Sequence, residues 1–255
     1  MTSIMTNAGA MTALQSLKAT NKAIDTTQNR ISTGFRVGEA SHNAAYWSIA
    51  TTMRSDNKVL STVQDALGLG AGMVDTAYTA TETVIDYVDQ IKTKVAAANQ
   101  GGLDKAKIQG EIEELIEGIK SVVSSASYGG SNWLSTEDST PASVEVVTSF
   151  TRNADSSVTL NTKTITMADY ALIDNTTASG TGQVGLLEQV NFSYTPAGAT
   201  AATTIDFDLT GIDVETGNLE EIMAGVDHIL GVLTDRAADL GAIKSGINLQ
   251  KGFVD

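Results

Sequence analysis

A chain of 255 residues can bury a sizeable core, as one elongated domain or two compact ones. It contains no cysteine and two distant histidines, His42 and His228, which removes disulfides, thiolate metal sites and cysteine nucleophiles and leaves little imidazole chemistry. The formal charge of −14 is concentrated in residues 135–215, where two basic residues meet eleven acidic ones; this argues against nucleic acid and fits a solvated, self-repelling middle.

Residues 1–33 read as a first helix. Ala10, Leu17, Ile24 and Ile31 fall seven apart with Leu14 on the adjoining row, while Asn21 and Gln28 leave the seam partly polar. A weakly amphipathic helix is marginal in water, so this one is expected to be ordered only under a covering partner. The opening residues lack a basic region followed by an apolar core, so no secretory signal peptide is read, and no segment approaches the ~20 apolar residues of a membrane span.

Thr33-Gly34 breaks the helix and Gly38 to Asn43 reads as a turn. A second helix then runs from about Tyr46 to Ala98 without proline. Its seam is Met53, Leu60, Leu67, Val74, Val88 and Val95, broken only by Thr81, with Val63, Ala77, Val84 and Ile91 as companions. At 1.5 Å per residue this heptad stretch spans roughly 65 Å. Gly68, Gly70 and Gly72 each weaken it by about 1 kcal/mol relative to alanine, or else admit a neighbouring backbone. Asn99 to Gly102 turn into a third helix, with Ile108, Ile112, Leu115, Ile119, Val122 and Ala126 at spacings of three and four, which predicts an antiparallel hairpin.

Composition changes at Tyr128-Gly129-Gly130, and both prolines, Pro141 and Pro196, follow. Val144, Val146, Thr148 and Phe150 alternate, a turn at Asn153-Ala154-Asp155 leads into Val158, Leu160 and Thr162, and the runs Val190–Tyr194 and Ile205–Leu209 alternate likewise, which predicts a small β-rich insertion. Gly217-Asn218 offers a cap for a last helix, whose seam is Leu219, Val226, Leu233, Leu240, Ile247 and Val254 beside Ile222, Ile229 and Ile243. Arg236 interrupts that seam, and either Asp56 as its partner or a snorkelled position accounts for it. The expected fold class is α+β: an elongated antiparallel, coiled-coil-like helical rod from both chain ends with a small β-rich inserted domain. The expected divisions are 1–45, 46–134, 135–216 and 217–255.

Three segments carry a resemblance. Arg30-Ile-Ser-Thr-Gly-Phe-Arg-Val37, with Ala40 to Ala50 and Met53-Arg-Ser-Asp56, resembles the N-terminal signature of bacterial flagellins, most like the rhizobial, alphaproteobacterial branch. Ser127 to Leu134 is similar to the segment that ends the family's N-terminal helical part, and Leu240 to Gln250 to the start of its C-terminal half. The resemblance implies a structural subunit that polymerises into the flagellar filament for motility, exported unfolded without a cleaved signal and located outside the cell. It also implies a homopolymer as the main partner, with an export chaperone, cap and hook-junction proteins. His42 stands where the family usually has aspartate. Gln90-Ile-Lys-Thr-Lys94 replaces the arginine-containing stretch read by a toll-like innate receptor, so weak recognition by that receptor is expected. The chain stops at Asp255, short of the segment that ordinarily completes the family's second helical strand.

Two sets of residues follow from this reading. Self-assembly is expected to use Leu14, Leu17, Ile24 and Ile31 together with Arg30 and Arg36. The rod core is expected to be Met53, Leu60, Leu67, Val74, Val88, Val95, Leu219, Val226, Leu233, Leu240 and Ile247. No catalytic, cofactor or metal site is expected: the histidines have no partners at ligand spacing, and Gly68-x-Gly-x-Gly72 sits inside a helical heptad instead of after a strand. Asn175-Thr-Thr177 and Asn191-Phe-Ser193 match the N-glycosylation triplet, a common chance occurrence. The competing reading is a coiled-coil adhesin or signalling module that binds a ligand through its middle domain.

Overall fold

Asn7 starts the first helix, α1 (Ala8–Thr33), by accepting the Ala10 backbone N–H on its side-chain oxygen at 3.1 Å. Gly34 ends it at φ 69°, a left-handed conformation that glycine adopts without steric cost. Asn43 caps α2 (Ala44–Ala98) in the same way, through the Tyr46 N–H at 3.1 Å. The computed structural model describes residues 7–100, 102–136, 143–153, 157–174, 185–188, 190–196 and 202–254. Pro141, Ala154-Asp155 of the expected hairpin turn, the Asn175 triplet and Asp255 lie outside the described residues. The chain divides into two compact units, Met1–Ser61 and Thr62–Asp255, with the boundary inside α2.

The second unit is built on three helices: the rest of α2, α3 (Lys105–Ser125) and α4 (Leu219–Val254). Cross-helix contacts set their register. Lys92 pairs with Asp227, Asp75 with Lys244, and the Gln64 amide donates to the Val254 carbonyl at 3.3 Å. As one number falls the other rises by the same amount, within a residue, so α2 and α4 run antiparallel. Lys94–Glu111 at 2.6 Å and the Tyr87 ring against Gly118 place α3 antiparallel to α2 likewise. Between the helices, Leu67, Val74, Val88 and Val95 of α2 are buried together with Val226, Leu233, Leu240 and Ile247 of α4 and Ile112, Ile119 and Val123 of α3. Each such side chain contributes about 1.5–3 kcal/mol through area removed from water. Thr81, the polar break in the seam, is buried too, and its hydroxyl donates to the Ala77 carbonyl at 2.8 Å, so its own polar group is paired.

Among the described residues the insertion contains four two-stranded pairs. β1 (Ser127–Tyr128) pairs antiparallel with β2 (Ser131–Asn132), and β3 (Ser135–Thr136) parallel with β6 (Ile173–Asp174). β4 (Ser143–Arg152) forms the expected hairpin with β5 (Val158–Thr166), with a register shift between Val147 and Ser149, and β7 (Val190–Tyr194) pairs with β8 (Thr203–Phe207). Four fully buried leucines tie the pieces together. The N–H of Leu172 donates to the Leu134 carbonyl at 2.8 Å, that of Leu187 to Leu172 at 2.9 Å, and that of Leu209 to Leu187 at 2.9 Å. Gln109 of α3 holds the return path, its amide donating to the Ile212 carbonyl at 2.9 Å and accepting the Val214 N–H at 3.0 Å.

Glycines let this insertion sit on the helices. A Cβ at Gly70 would lie 2.6 Å from Val146 of β4, one at Gly72 would lie 2.6 Å from the Tyr128 ring, and one at Gly225 would collide with the Phe207 ring of β8. The close approach at Gly70 and Gly72 is therefore by side chains of the insertion, and Gly68 faces open space. Gly225→Ala is expected to lower stability by about 1–3 kcal/mol, because overpacking outweighs the helix-propensity gain of about 1 kcal/mol. Gly231→Ala on the same helix, where nothing lies within 4 Å, is expected to raise it by about 0.5–1 kcal/mol. Urea unfolding of the two variants separates the cases, and equal shifts would contradict the notch.

Three sequence expectations are corrected. Met53 is 65% exposed and Leu60 only half-buried, because the seam closes only from Val63 onward, where the second unit begins. Leu219, in the first turn of α4, is half-buried. Arg236 lies opposite Thr83 on the α2–α4 register, 27 positions along the sequence from Asp56 (83 − 56). Its guanidinium donates to the Ala171 carbonyl at 3.0 Å, so it is a tie between α4 and the insertion. Burial pulls its pKa below the usual arginine value, against the opposing pull of Asp169.

Candidate functional site

Helix α1 is regular but uncovered. None of its residues is buried, and Leu14, Leu17, Ile24 and Ile31 are 53%, 58%, 47% and 77% exposed. Their spacing puts them along one side, so the exposed apolar surface is a stripe instead of scattered single residues. Threonines on this helix satisfy themselves: Thr26, Thr27 and Thr33 donate to the carbonyls four residues back, at 2.8, 2.8 and 2.6 Å. Arg30 lies in the last turn, where its charge complements the helix dipole, and both Arg30 and Arg36 are exposed.

The same unit presents a second exposed apolar set. Phe35 follows the Gly34 stop, and Tyr46, Ile49 and Met53 occupy the first turns of α2, each between 45% and 65% exposed. One interaction orders the connection between the helices. The Arg54 guanidinium stacks 4.4 Å from the Phe35 ring centroid while donating to the Ala50 carbonyl at 3.1 Å and to Thr51 Oγ1 at 3.3 Å. Sequence periodicity could not single out this set, because Phe35 lies in a turn and the heptad count assigned Met53 to a core. The signal available was local: an aromatic next to a helix-stopping glycine, followed by an apolar first turn.

The remaining expected positions fall elsewhere. Leu67, Val74, Val88, Val95, Val226, Leu233, Leu240 and Ile247 are inside the second unit and cannot reach a partner without unfolding it. His42 is exposed in the turn before α2, and His228 stacks on Phe192 at 4.8 Å between ring centroids. Among the described residues no group of histidine and carboxylate side chains has a metal-holding arrangement, and no helix is long and apolar enough to cross a membrane.

The model of the bacterial flagellin N-terminal helical region matches residues 4–139, which include α1, α2 and α3. Over the whole chain the sequence is 46% identical to Flagellin C of Rhizobium meliloti (strain 1021), of which it covers 83%. This chain belongs to the bacterial flagellin family. Flagellin A of the same strain is 37% identical over the whole chain, which covers 86% of that protein. The flagellin of Brucella melitensis biotype 1 is 54% identical over 60% of the chain and 54% of its own length. The resemblance to the rhizobial branch is thereby shown, and the chain is a flagellin: a structural subunit of the extracellular flagellar filament. Membership displaces the adhesin and signalling reading, which drew only on the generic coiled-coil pattern.

Proposed function

We propose that this flagellin polymerises through its first unit, with the α1 stripe and the exposed set at Phe35, Tyr46, Ile49 and Met53 buried between subunits, while the helices and insertion of the second unit form a body that keeps its fold. The observation that carries the reading is the contrast in cover: no described residue of the first unit is buried, whereas the seams of the second are closed. Unburied apolar stripes are stabilised by association, and the aligned packing of identical helices propagates. Arg30 and Arg36 supply positive charge at the edge of this surface, against the acidic balance of the chain.

The protein's role in this reading is mechanical and not catalytic. It leaves the cell without a cleaved signal, and its further partners are an export chaperone, the filament cap and the hook-junction proteins. Recognition by the innate receptor is weak, because the stretch at Gln90–Lys94 lacks the arginine-bearing pattern. The divisions at 134/135 and 216/217 bound the variable surface domain, and the polymerisation surface of this reading runs past the 45/46 division as far as Met53.

Leu17→Lys with Ile24→Lys is the direct test of the surface. Two charges on the stripe are expected to slow elongation from filament seeds more than tenfold, while thermal unfolding changes by no more than about 0.5 kcal/mol, as for exposed positions. Normal elongation by this variant, scored by light scattering and electron microscopy, would move the polymerisation contact elsewhere.

A further inference from the structure

Two of the described methionines are open to solvent. Met11 and Met53 are 64% and 65% exposed, whereas Met73, Met167 and Met223 are half-buried. Met11 precedes Leu14 by three residues and so shares its side of α1. Met53 borders the groove that Phe35, Trp47 and Arg54 line. Both sulfurs therefore belong to the apolar sets assigned to polymerisation. A thioether suits such a contact, being apolar and polarizable, but it is also the side chain most easily converted to a polar one without changing the backbone.

We propose that Met11 and Met53 form a peroxide-sensitive modification site that controls whether a monomer can join a filament, an inference that rests on the polymerisation surface proposed above. The Sδ lone pair attacks one oxygen of hydrogen peroxide. The S–O bond forms as the O–O bond breaks, and the proton of the transferred hydroxyl moves to the departing one, leaving methionine sulfoxide and water. The thioether loses two electrons and the peroxide gains them. The sulfoxide oxygen is a strong acceptor that must shed its water when a neighbouring subunit's apolar residues close over it, so burying it between subunits is unfavourable. Assembly covers both sulfurs, so the chemistry acts on the monomer and spares the polymer. Methionine sulfoxide reductases of the two epimer classes reverse it.

The experiment treats the full chain with dilute hydrogen peroxide, follows each methionine by peptide mapping, and then measures elongation from filament seeds. Met11 and Met53 are expected to oxidise ahead of Met73, Met167 and Met223, elongation to fall about tenfold once both are sulfoxides, and enzymatic reduction to restore it. A Met11→Leu, Met53→Leu variant, compared with itself before and after peroxide, is expected to show no such fall. Oxidation of the half-buried methionines first, or unchanged elongation by the doubly oxidised chain while Leu17→Lys with Ile24→Lys blocks it, overturns the proposal and leaves the polymerisation surface standing. If the charged variant also elongates normally, the surface itself is misassigned and the methionine site falls with it.

Discussion

Removal of residues 1–33 is expected to abolish filament elongation while leaving the unfolding transition of the remaining chain almost unchanged. The stability side follows from cover: α1 buries none of its residues, so its loss removes no core contact, and the change should stay within about 0.5 kcal/mol. The assembly side follows from what α1 has still to bury. Full burial of a leucine or isoleucine contributes about 1.5–3 kcal/mol, and the four stripe residues are roughly half-exposed, so association recovers at least about 3 kcal/mol from them, more than a hundredfold in the addition equilibrium. Circular dichroism melting reads the first quantity and seeded elongation the second. Filaments grown from the shortened chain would show that α1 is not the polymerisation contact, and a large drop in melting temperature would show that α1 supports the body after all.

The second large effect separates two residues that the heptad pattern treats alike. Leu67→Ala is expected to cost about 2–5 kcal/mol, because Leu67 is fully buried and its truncation leaves a cavity in the core of the second unit. Met53→Ala, two heptads earlier on the same seam, is expected to change stability by less than about 0.5 kcal/mol, since its side chain is 65% exposed. The assembly readout should invert: Met53→Ala weakens elongation, whereas the effect of Leu67→Ala follows the unfolded fraction. Urea titration of both variants supplies the comparison, and similar losses at the two positions would place Met53 in a core.

Much of the fold was legible because periodicity is a local property. The helix limits near Thr33 and Ala98, the hairpin of α2 with α3, the β4–β5 hairpin and the runs that become β7 and β8 all follow from repeats of seven or two read against glycine and asparagine punctuation. What was not legible required knowing which element lies opposite which. Arg236 looked like a seam charge seeking a carboxylate, yet the α2–α4 register places it beside the insertion, where the Ala171 carbonyl receives it. Gly70, Gly72 and Gly225 looked like weak points in helices, and are seats for Val146, Tyr128 and Phe207. The leucine series Leu134, Leu172, Leu187 and Leu209 has no period at all, because its members come from four separate stretches joined only by backbone hydrogen bonds.

By itself, the sequence determined the four helices, the acidic β-rich insertion and the family, since these depend on patterns carried within contiguous segments. The tertiary structure alone decided which part of each stripe is core and which is surface. A heptad states that a helix has an apolar side, but burial depends on whether another chain segment packs there: within the second unit the register of α4 on α2 covers Leu67, whereas Met53 and the α1 stripe of the first unit are exposed.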